Sequence, residues 1–493
     1  MAKDLNQDPI VIVGCGPGSP DYLTPAARRA AEQADVLVGS QRLLDGLPGG
    51  RERIPVTGDT AGLLDRIDTL LAAGRGVTVL VSGDAGLFSL AGPIVQRFSR
   101  SRCAIVPGIS SVQVAFARLA LDWADARLVS AHGRPANVSA EELARSDKIA
   151  ILAGTAEAIA WSAQMAAQLA DSHAAFLCEN LTLTDERVAE LTPEKLGATD
   201  ASSLAIVVLV QKTLLACCMG AMPATVVLSQ ACEASNGKDM AAKNAAMPPT
   251  QWAKSGTLYG IGVGPGDPQW LTVRAARLLA TTRHVCVPRS PLASESVALD
   301  IAREFLRPDA IVHEIPFPMT ADAAVLRQSW QQAARQVNQL LAAGDDVCFL
   351  TLGDAMLYST YIYLVRELRA IQPDVAAVTV PGITAFSGAA ALAGFPIGTG
   401  RQTVTIVPAG DDLADFGAAL DRGGTVVLMK IGDRLERVLD ELDQRSLLDR
   451  AVLVSRVGLA DQRITTDLRT LRGGDAKTGY LSILLVDASK ETE

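Results

Sequence analysis

The 493-residue chain reads as α/β, built from two tandem copies of one fold, each copy made of two α/β lobes. Three observations predict this. The length exceeds the size at which one hydrophobic core keeps growing, so two to four domains are expected. The segment Val11–Leu23, VIVGCGPGSPDYL, returns as Tyr259–Leu271, YGIGVGPGDPQWL, and two more segments return in the same order. VLVSGDAGLFS around Asp84 returns as FLTLGDAMLYS around Asp354, and IVPGISSVQVAFA from Ile105 returns as TVPGITAFSGAAA from Thr379. Finally, β-rich runs alternate with helical patterns, the rhythm of helices packed on a largely parallel sheet.

In chain order, strands are expected at Pro9–Val13, Val77–Val81 and Ala104–Val106, with a helix at Thr24–Ala34 after the first and one at Ser110–Leu121 after the last. The second lobe of the first copy should hold strands near Ile149–Leu152 and Leu204–Val210. In the second copy, strands are expected at Thr403–Val407, Val426–Met429 and Leu481–Val486. The repeat offset grows from 248 residues at the first motif to 270 and 274 at the others, so the second copy carries about twenty extra residues, expected near Ile315–Trp330. Thr213–Ser255 has little periodicity, is rich in Ala, Met and Pro, and reads as a linker. The domains are therefore 8–211, a linker 212–255, and 256–487.

A net charge of -9 and few aromatic residues argue against a general nucleic-acid binder and for a small substrate. Met1–Asp8 shows no signal peptide, and the apolar run Leu204–Leu228, interrupted by Gln211, Lys212 and Pro223, falls short of a membrane span. A cytoplasmic protein without membrane contact is expected. The eight cysteines lack metal-ligand spacing and read as reduced thiols, and the four histidines, His132, His173, His284 and His313, are too scattered along the chain to suggest a metal site. No bound metal is expected.

Each of the three repeated motifs sits where a strand should end. Gly14-Cys15-Gly16-Pro17-Gly18 and Gly262-Val263-Gly264-Pro265-Gly266 each follow a strand and precede a helix, where a glycine turn either lets a ligand approach the backbone or merely closes the connection. A dinucleotide site fits poorly, because Ser19 and Asp267 stand where its third glycine belongs and no acidic residue follows the second strand. Asp84 and Asp354 end apolar strands, where a carboxylate accepts hydrogen bonds from a ligand or caps the next helix. Ser110 and Thr384 follow Val-Pro-Gly-Ile, again as ligand contacts or plain N-caps.

The set G-x-G-P-G, G-D-x-x-x-[YF]-S and V-P-G-I-[ST]-[SA], present twice, resembles the tetrapyrrole methylases over nearly all of residues 8–211 and 256–487. The resemblance implies two α/β lobes per copy, S-adenosylmethionine bound in the cleft between them, and a homodimer. Ala85 and Ala355 depart from the proline usual after the Asp. The segments VPGISSVQVAFARLALDWADARLVSAHGR and ENLTLTDERV of the first copy resemble the CbiE type, which methylates carbon 5 of cobalt-precorrin-7. In the second copy, PFPMT, TLGDAMLYSTYIYL and VVLMK resemble the CbiL type, which methylates carbon 20 of precorrin-2 or cobalt-precorrin-2.

The resemblance implies cofactor contacts at Pro17, Ser82, Gly83, Asp84, Leu87, Ser110 and Ser111 in the first copy. In the second it implies Pro265, Leu352, Gly353, Asp354, Leu357, Thr384, Ala385 and Met429. His132, Arg134 and Arg289 are candidates for the carboxylate-rich substrate or are ordinary structural and surface residues. No general base is identifiable. A separate carbon 15 methyltransferase/decarboxylase is an expected partner, because Thr213–Ser255 is too short to hold one, and its absence favours the cobalt-early route. An alternative is one catalytic half and one decayed to a cofactor-holding regulatory module. Because carbon 20 is methylated early and carbon 5 late, the halves are expected to work independently.

Overall fold

A computed structural model describes residues 10–49, 52–131, 136, 138–218, 255–289, 296–318, 320, 322–400, 402–474, 479 and 481–489. The first lobe is a parallel five-stranded sheet, from β1 (Ile10–Gly14), β2 (Val36–Gly39), β3 (Glu52–Pro55), β4 (Val77–Val81) and β5 (Cys103–Val106), in the order β3-β2-β4-β1-β5. β1 and β4 are buried at every position, as continuous apolar runs in a parallel sheet covered on both faces must be. The next lobe holds β6 (Arg127–Ser130), β7 (Lys148–Leu152), β8 (His173–Glu179), β9 (Arg187–Leu191) and β10 (Ile206–Gln211).

The second copy repeats the plan. β11 (Leu258–Gly262), β12 (His284–Arg289), β13 (Ile311–Pro316), β14 (Val347–Thr351) and β15 (Ala377–Val380) form a parallel sheet of order β13-β12-β14-β11-β15, the same order as in the first lobe. β16 (Val404–Pro408), β17 (Thr425–Met429), β18 (Ala451–Ser455), β19 (Arg463–Thr465) and β20 (Ser482–Asp487) follow. The extra residues do not sit together near Ile315–Trp330. They divide between the β12–β13 connection, residues 290–310 against 40–51 in the first copy, and the helix Ala323–Ala342, 20 residues against the 13 of Thr60–Ala72. An offset fixes a total length difference, not its distribution.

The helix Lys212–Cys218 occupies the start of the stretch read as linker, while 219–254, like Met1–Asp8, lies outside the described residues. Among the described residues, no helix is long and apolar enough to cross a membrane.

The two halves are joined. β6 pairs antiparallel with β16, Leu128 opposite Val404 and Arg127 opposite Thr405, so the two second lobes merge into one ten-stranded sheet of order β19-β18-β20-β17-β16-β6-β7-β10-β8-β9. Each strand thereby covers the other's open edge. The loops after β4 and β14 reach across reciprocally: Ile397 and Gly398 N–H donate to Gly86 O at 2.9 and 3.0 Å, and Trp123 N–H donates to Met356 O at 3.1 Å. Trp123 lies edge-on to Phe386, ring centroids 5.8 Å apart, with both side chains fully buried. Tyr358 Oη donates to Asp125 at 2.6 Å, and Arg277 pairs with Asp21.

Candidate functional site at the paired strand ends

In each first lobe the three motifs end three adjacent parallel strands, β4, β1 and β5 or β14, β11 and β15. That edge is where open α/β sheets expose ligand sites. Gly16 and Gly83 exchange backbone hydrogen bonds of 3.1 and 2.8 Å, as do Gly264 and Gly353 at the same lengths. All four have φ between +70° and +83°, a conformation a side chain strains, which explains glycine at these places in both copies. The backbone of motif three packs directly against the other two: a Cβ on Gly382 would stand 2.3 Å from Gly353 O and 2.4 Å from Gly262 O. Gly382→Ala should therefore cost about 3 kcal/mol, the upper end of overpacking, read as a lowered urea midpoint. Over Gly83 and Gly353, by contrast, an added Cβ would meet nothing closer than 3.9 Å. The glycines leave an open cradle facing Ser110–Ser111 in one half and Ala385 in the other.

Asp84 and Asp354 are buried, and the protein's own donors take up their oxygens. Asp84 Oδ1 accepts from Gly86 N–H at 2.9 Å and Oδ2 from Gly108 N–H at 3.1 Å, tying motif two to motif three, and the Ser387 hydroxyl of the other half faces it as well. Asp354 Oδ1 accepts from Met356 N–H at 2.8 Å and Trp123 Nε1 at 3.4 Å, Oδ2 accepts from Gln113 Nε2 at 2.7 Å, and Gly382 N–H adds a further bond. Trp123 and Gln113 also come from the other half.

Burial pushes both carboxyls up to about 6 despite these bonds. A folded-state value above the unfolded 3.8 means that the folded protein holds more protons between about pH 4 and 6, so this contribution to stability falls as pH rises through that window. Asp84→Asn has no such titration. Its deficit in melting temperature relative to the parent should therefore be largest near pH 4 and smaller at pH 7, and a pH-independent deficit would exclude titration of Asp84 in that range.

The other expected residues fall as follows. Pro17 and Pro265 are buried at the first turns, and Leu87 and Leu357 are buried just beyond the Asp residues. Ser110 Oγ accepts from Val112 N–H and Thr384 Oγ1 from Ser387 N–H, so the N-cap role offered for these hydroxyls is observed, while Ser111 and Ala385 are partly exposed on the first turn. Ser82 is exposed and Leu352 half-buried beside the cradle. The alanines replacing proline are compensated, since Ser89 Oγ donates to Ala85 O and Ser359 Oγ to Ala355 O, pinning each loop. Met429 ends β17 in the other lobe. β17 and β18 both run antiparallel to β20, with Leu428 and Leu453 opposite the same Leu484, so their ends share one sheet edge. From that edge Val457 and Gly458 pack against Gly266, which brings the second lobe over motif one. Leu183 meets Gly18 in the same way in the first half, and Thr182 Oγ1 accepts from Ser19 N–H at 2.9 Å.

His132 and Arg134 lie outside the described residues. Arg289 is exposed and ion-paired with Glu314 at 2.9 Å. Two histidines far apart in sequence meet: His284 Nδ1 is 2.9 Å from His313 Nε2. They stand on neighbouring strands, at the start of β12, away from the motifs, and no cluster of three potential metal ligands occurs among the described residues. Sequence reasoning missed Arg42, whose Nη2 donates to Ser82 Oγ at 2.8 Å at the cradle's rim. Its only signal was a cation just after the second strand of the repeat, beyond Ser40. It also missed Gln113 and Trp123, whose partners lie more than two hundred residues away.

Comparison with known proteins agrees with this geometry. The family described as Tetrapyrrole (Corrin/Porphyrin) Methylases matches residues 9–197 and 257–472. The Cobalt-precorrin-2 C(20)-methyltransferase of Salmonella typhimurium is 34% identical over 237 residues, 48% of this chain and 98% of its own. The Cobalt-precorrin-7 C(5)-methyltransferase of the same organism is 37% identical over 144 residues, 29% of this chain and 70% of its own. The Cobalamin biosynthesis protein CobIJ of Mycobacterium tuberculosis is 32% identical over 218 residues, and the match spans 42% of each chain. With both halves matched by the family and carrying its motifs at the ends of three adjacent strands, this chain belongs to the tetrapyrrole methylases, and carries two of them.

Proposed function

We propose that the chain is a bifunctional S-adenosylmethionine-dependent C-methyltransferase of corrin-ring synthesis. The second half methylates carbon 20 of precorrin-2 or cobalt-precorrin-2, and the first half carbon 5 of precorrin-7 or cobalt-precorrin-7. The observation that carries this reading is the duplicated cradle: both halves keep the paired glycine turns, the buried Asp and the open space over Gly83 and Gly353. This equal preservation argues against one half having decayed to a regulatory module.

The cradle suits the cofactor, offering backbone groups and small residues where a bulky ligand must approach closely. Pro17, Ser82, Gly83, Leu87, Ser110 and Ser111 would hold it in the first half. Pro265, Leu352, Gly353, Leu357, Thr384, Ala385 and Met429 would hold it in the second, with Asp84 and Asp354 bracing the loops from behind. The sulfonium supplies an already activated methyl group. What remains for the protein is to hold the acceptor carbon in line and keep water out, which is catalysis by positioning. Arg42, beside Ser82, and Arg289 offer guanidinium forks for substrate carboxylates, and His132 and Arg134 belong to the same substrate reading.

Cytoplasmic work on a cobalt-loaded ring, with a separate carbon 15 enzyme, completes the proposal. The homodimer implied by the resemblance has an internal counterpart in the pairing of the halves, and light scattering tells whether whole chains pair as well. The decisive experiment incubates the chain and S-adenosylmethionine with precorrin-2, cobalt-precorrin-2 and their precorrin-7 counterparts. Mass spectrometry should show one added methyl on each class of substrate, with the cobalt forms preferred. Methylation of one class alone would defeat the bifunctional reading.

A further inference from the structure

We infer that Gln113 and Ser387 are positioning residues that act in trans, each bracing the buried motif-two carboxylate of the opposite half, so that the two methyl-transfer sites are physically coupled. The inference rests on the two-enzyme reading for its catalytic consequence, and on geometry alone for the bracing.

The two residues occupy equivalent positions of the repeat, three residues after Ser110 and Thr384. The Gln113 amide is used at both ends. Its Oε1 accepts from Ser110 N–H at 2.9 Å, closing the capping box of its own helix, while Nε2 donates to Asp354 Oδ2 at 2.7 Å and to Gly382 O at 2.9 Å. One side chain thus links motif three of the first half to motifs two and three of the second. Ser387 stands in the mirror position: Thr384 Oγ1 donates to its hydroxyl at 2.8 Å, and that hydroxyl faces Asp84, favouring its charged form against burial. Gln113 and Ser387 are buried, so water does not compete for these bonds and each is worth more than at a surface. The cradle of each half is therefore completed by the other, and a shift at one motif three is passed to the facing motif two. No charged group acts on Asp354 among the described residues; its surroundings are the neutral donors of Gln113, Trp123, Met356 and Gly382.

Two substitutions in the full-length chain test this by crossed effects. Gln113→Glu keeps the Oε acceptor for Ser110 but sets a second carboxylate against Asp354. Carbon 20 activity, measured as kcat/KM on the precorrin-2 substrate, should fall about tenfold relative to carbon 5 activity at pH 8. It should recover toward the parental ratio near pH 6, where the facing carboxylates share a proton and regain a hydrogen bond. Ser387→Ala removes only a hydroxyl, leaves Thr384 bonded to the Ser387 backbone, and should shift the ratio the opposite way by several-fold with no recovery at low pH. Hydrogen exchange gives a readout that does not depend on activity. In Gln113→Glu the amides of Met356 and Gly382 should exchange faster while those of Gly86 and Gly108 hold.

An unchanged ratio, or a shift confined to the half that carries the substitution, would overturn the coupling even with both activities present. A parent lacking one activity would defeat the functional reading, while the exchange pattern would still decide the bracing. Should Gln113→Glu fail to fold, Ser387→Ala carries the test through its own predicted direction.

Discussion

Expressed as a separate polypeptide, residues 8–211 should not yield a folded monomer, and residues 256–487 should fail likewise. Cutting the chain uncovers the β6 edge in one piece and the β16 edge in the other, each a row of unpaired N–H and C=O groups. It also exposes Trp123 and Phe386, which are fully buried against each other across the junction. An aromatic side chain hides about 150–250 Å², so at about 25 cal/mol per Å² the two together forfeit roughly 8–12 kcal/mol, comparable to the whole stability of a typical domain. Size-exclusion chromatography with light scattering should show aggregates or self-associated halves. A monodisperse monomer with native circular dichroism and methyl transfer would refute this. The expectation from pathway order, that each half works alone, conflicts with this interface: the two reactions are separate steps, but their scaffolds are shared.

Asp354→Ala should remove carbon 20 methylation and destabilise the chain by about 3–5 kcal/mol, the upper range for a single substitution that strands buried polar groups. The loss leaves Met356 N–H, Gly382 N–H, Gln113 Nε2 and Trp123 Nε1 facing a space with no acceptor, and unsatisfied buried donors cost about 1–3 kcal/mol each before relaxation. Asp354→Asn should recover little, because either orientation of the amide turns an NH₂ toward one of these donors. Urea unfolding followed by the two methylation assays measures both effects. Full stability with loss of activity alone would make Asp354 a ligand contact and not a brace. Carbon 5 activity should decline too, though less, since Gln113 loses the partner that fixes it beside Ser110.

The duplication, the strands that end in motifs, and the α/β class were legible in the sequence because each leaves a local mark. Buried parallel strands must be continuous apolar runs such as Ile10–Gly14 and Val77–Val81, and turns needing positive φ at Gly16, Gly83, Gly264 and Gly353 must use glycine. The strand positions expected for both copies match the observed elements to within a residue or two. That the three motifs share one edge was legible for the same reason, since adjacent parallel strands place their ends together, while the cofactor role of their residues came from the family resemblance.

What the sequence did not reveal was decided by contacts between distant residues. β8 and β18, the strands that carry the loops over motif one, lie in mixed-sheet lobes whose order follows from packing and not from chain order. The meeting of His284 with His313 depends on β12 and β13 lying side by side. Above all, Asp84 and Asp354 each carry two meanings in sequence, ligand contact or local cap, and a carboxylate's partners are settled by whatever donors surround it. By itself the sequence determined that there are two copies, where their glycine turns stand and which family they resemble. Only the tertiary structure decided that the copies join through β6 and β16 and brace each other's carboxylates, because a buried acceptor must be satisfied, and here the nearest donors come from the other half.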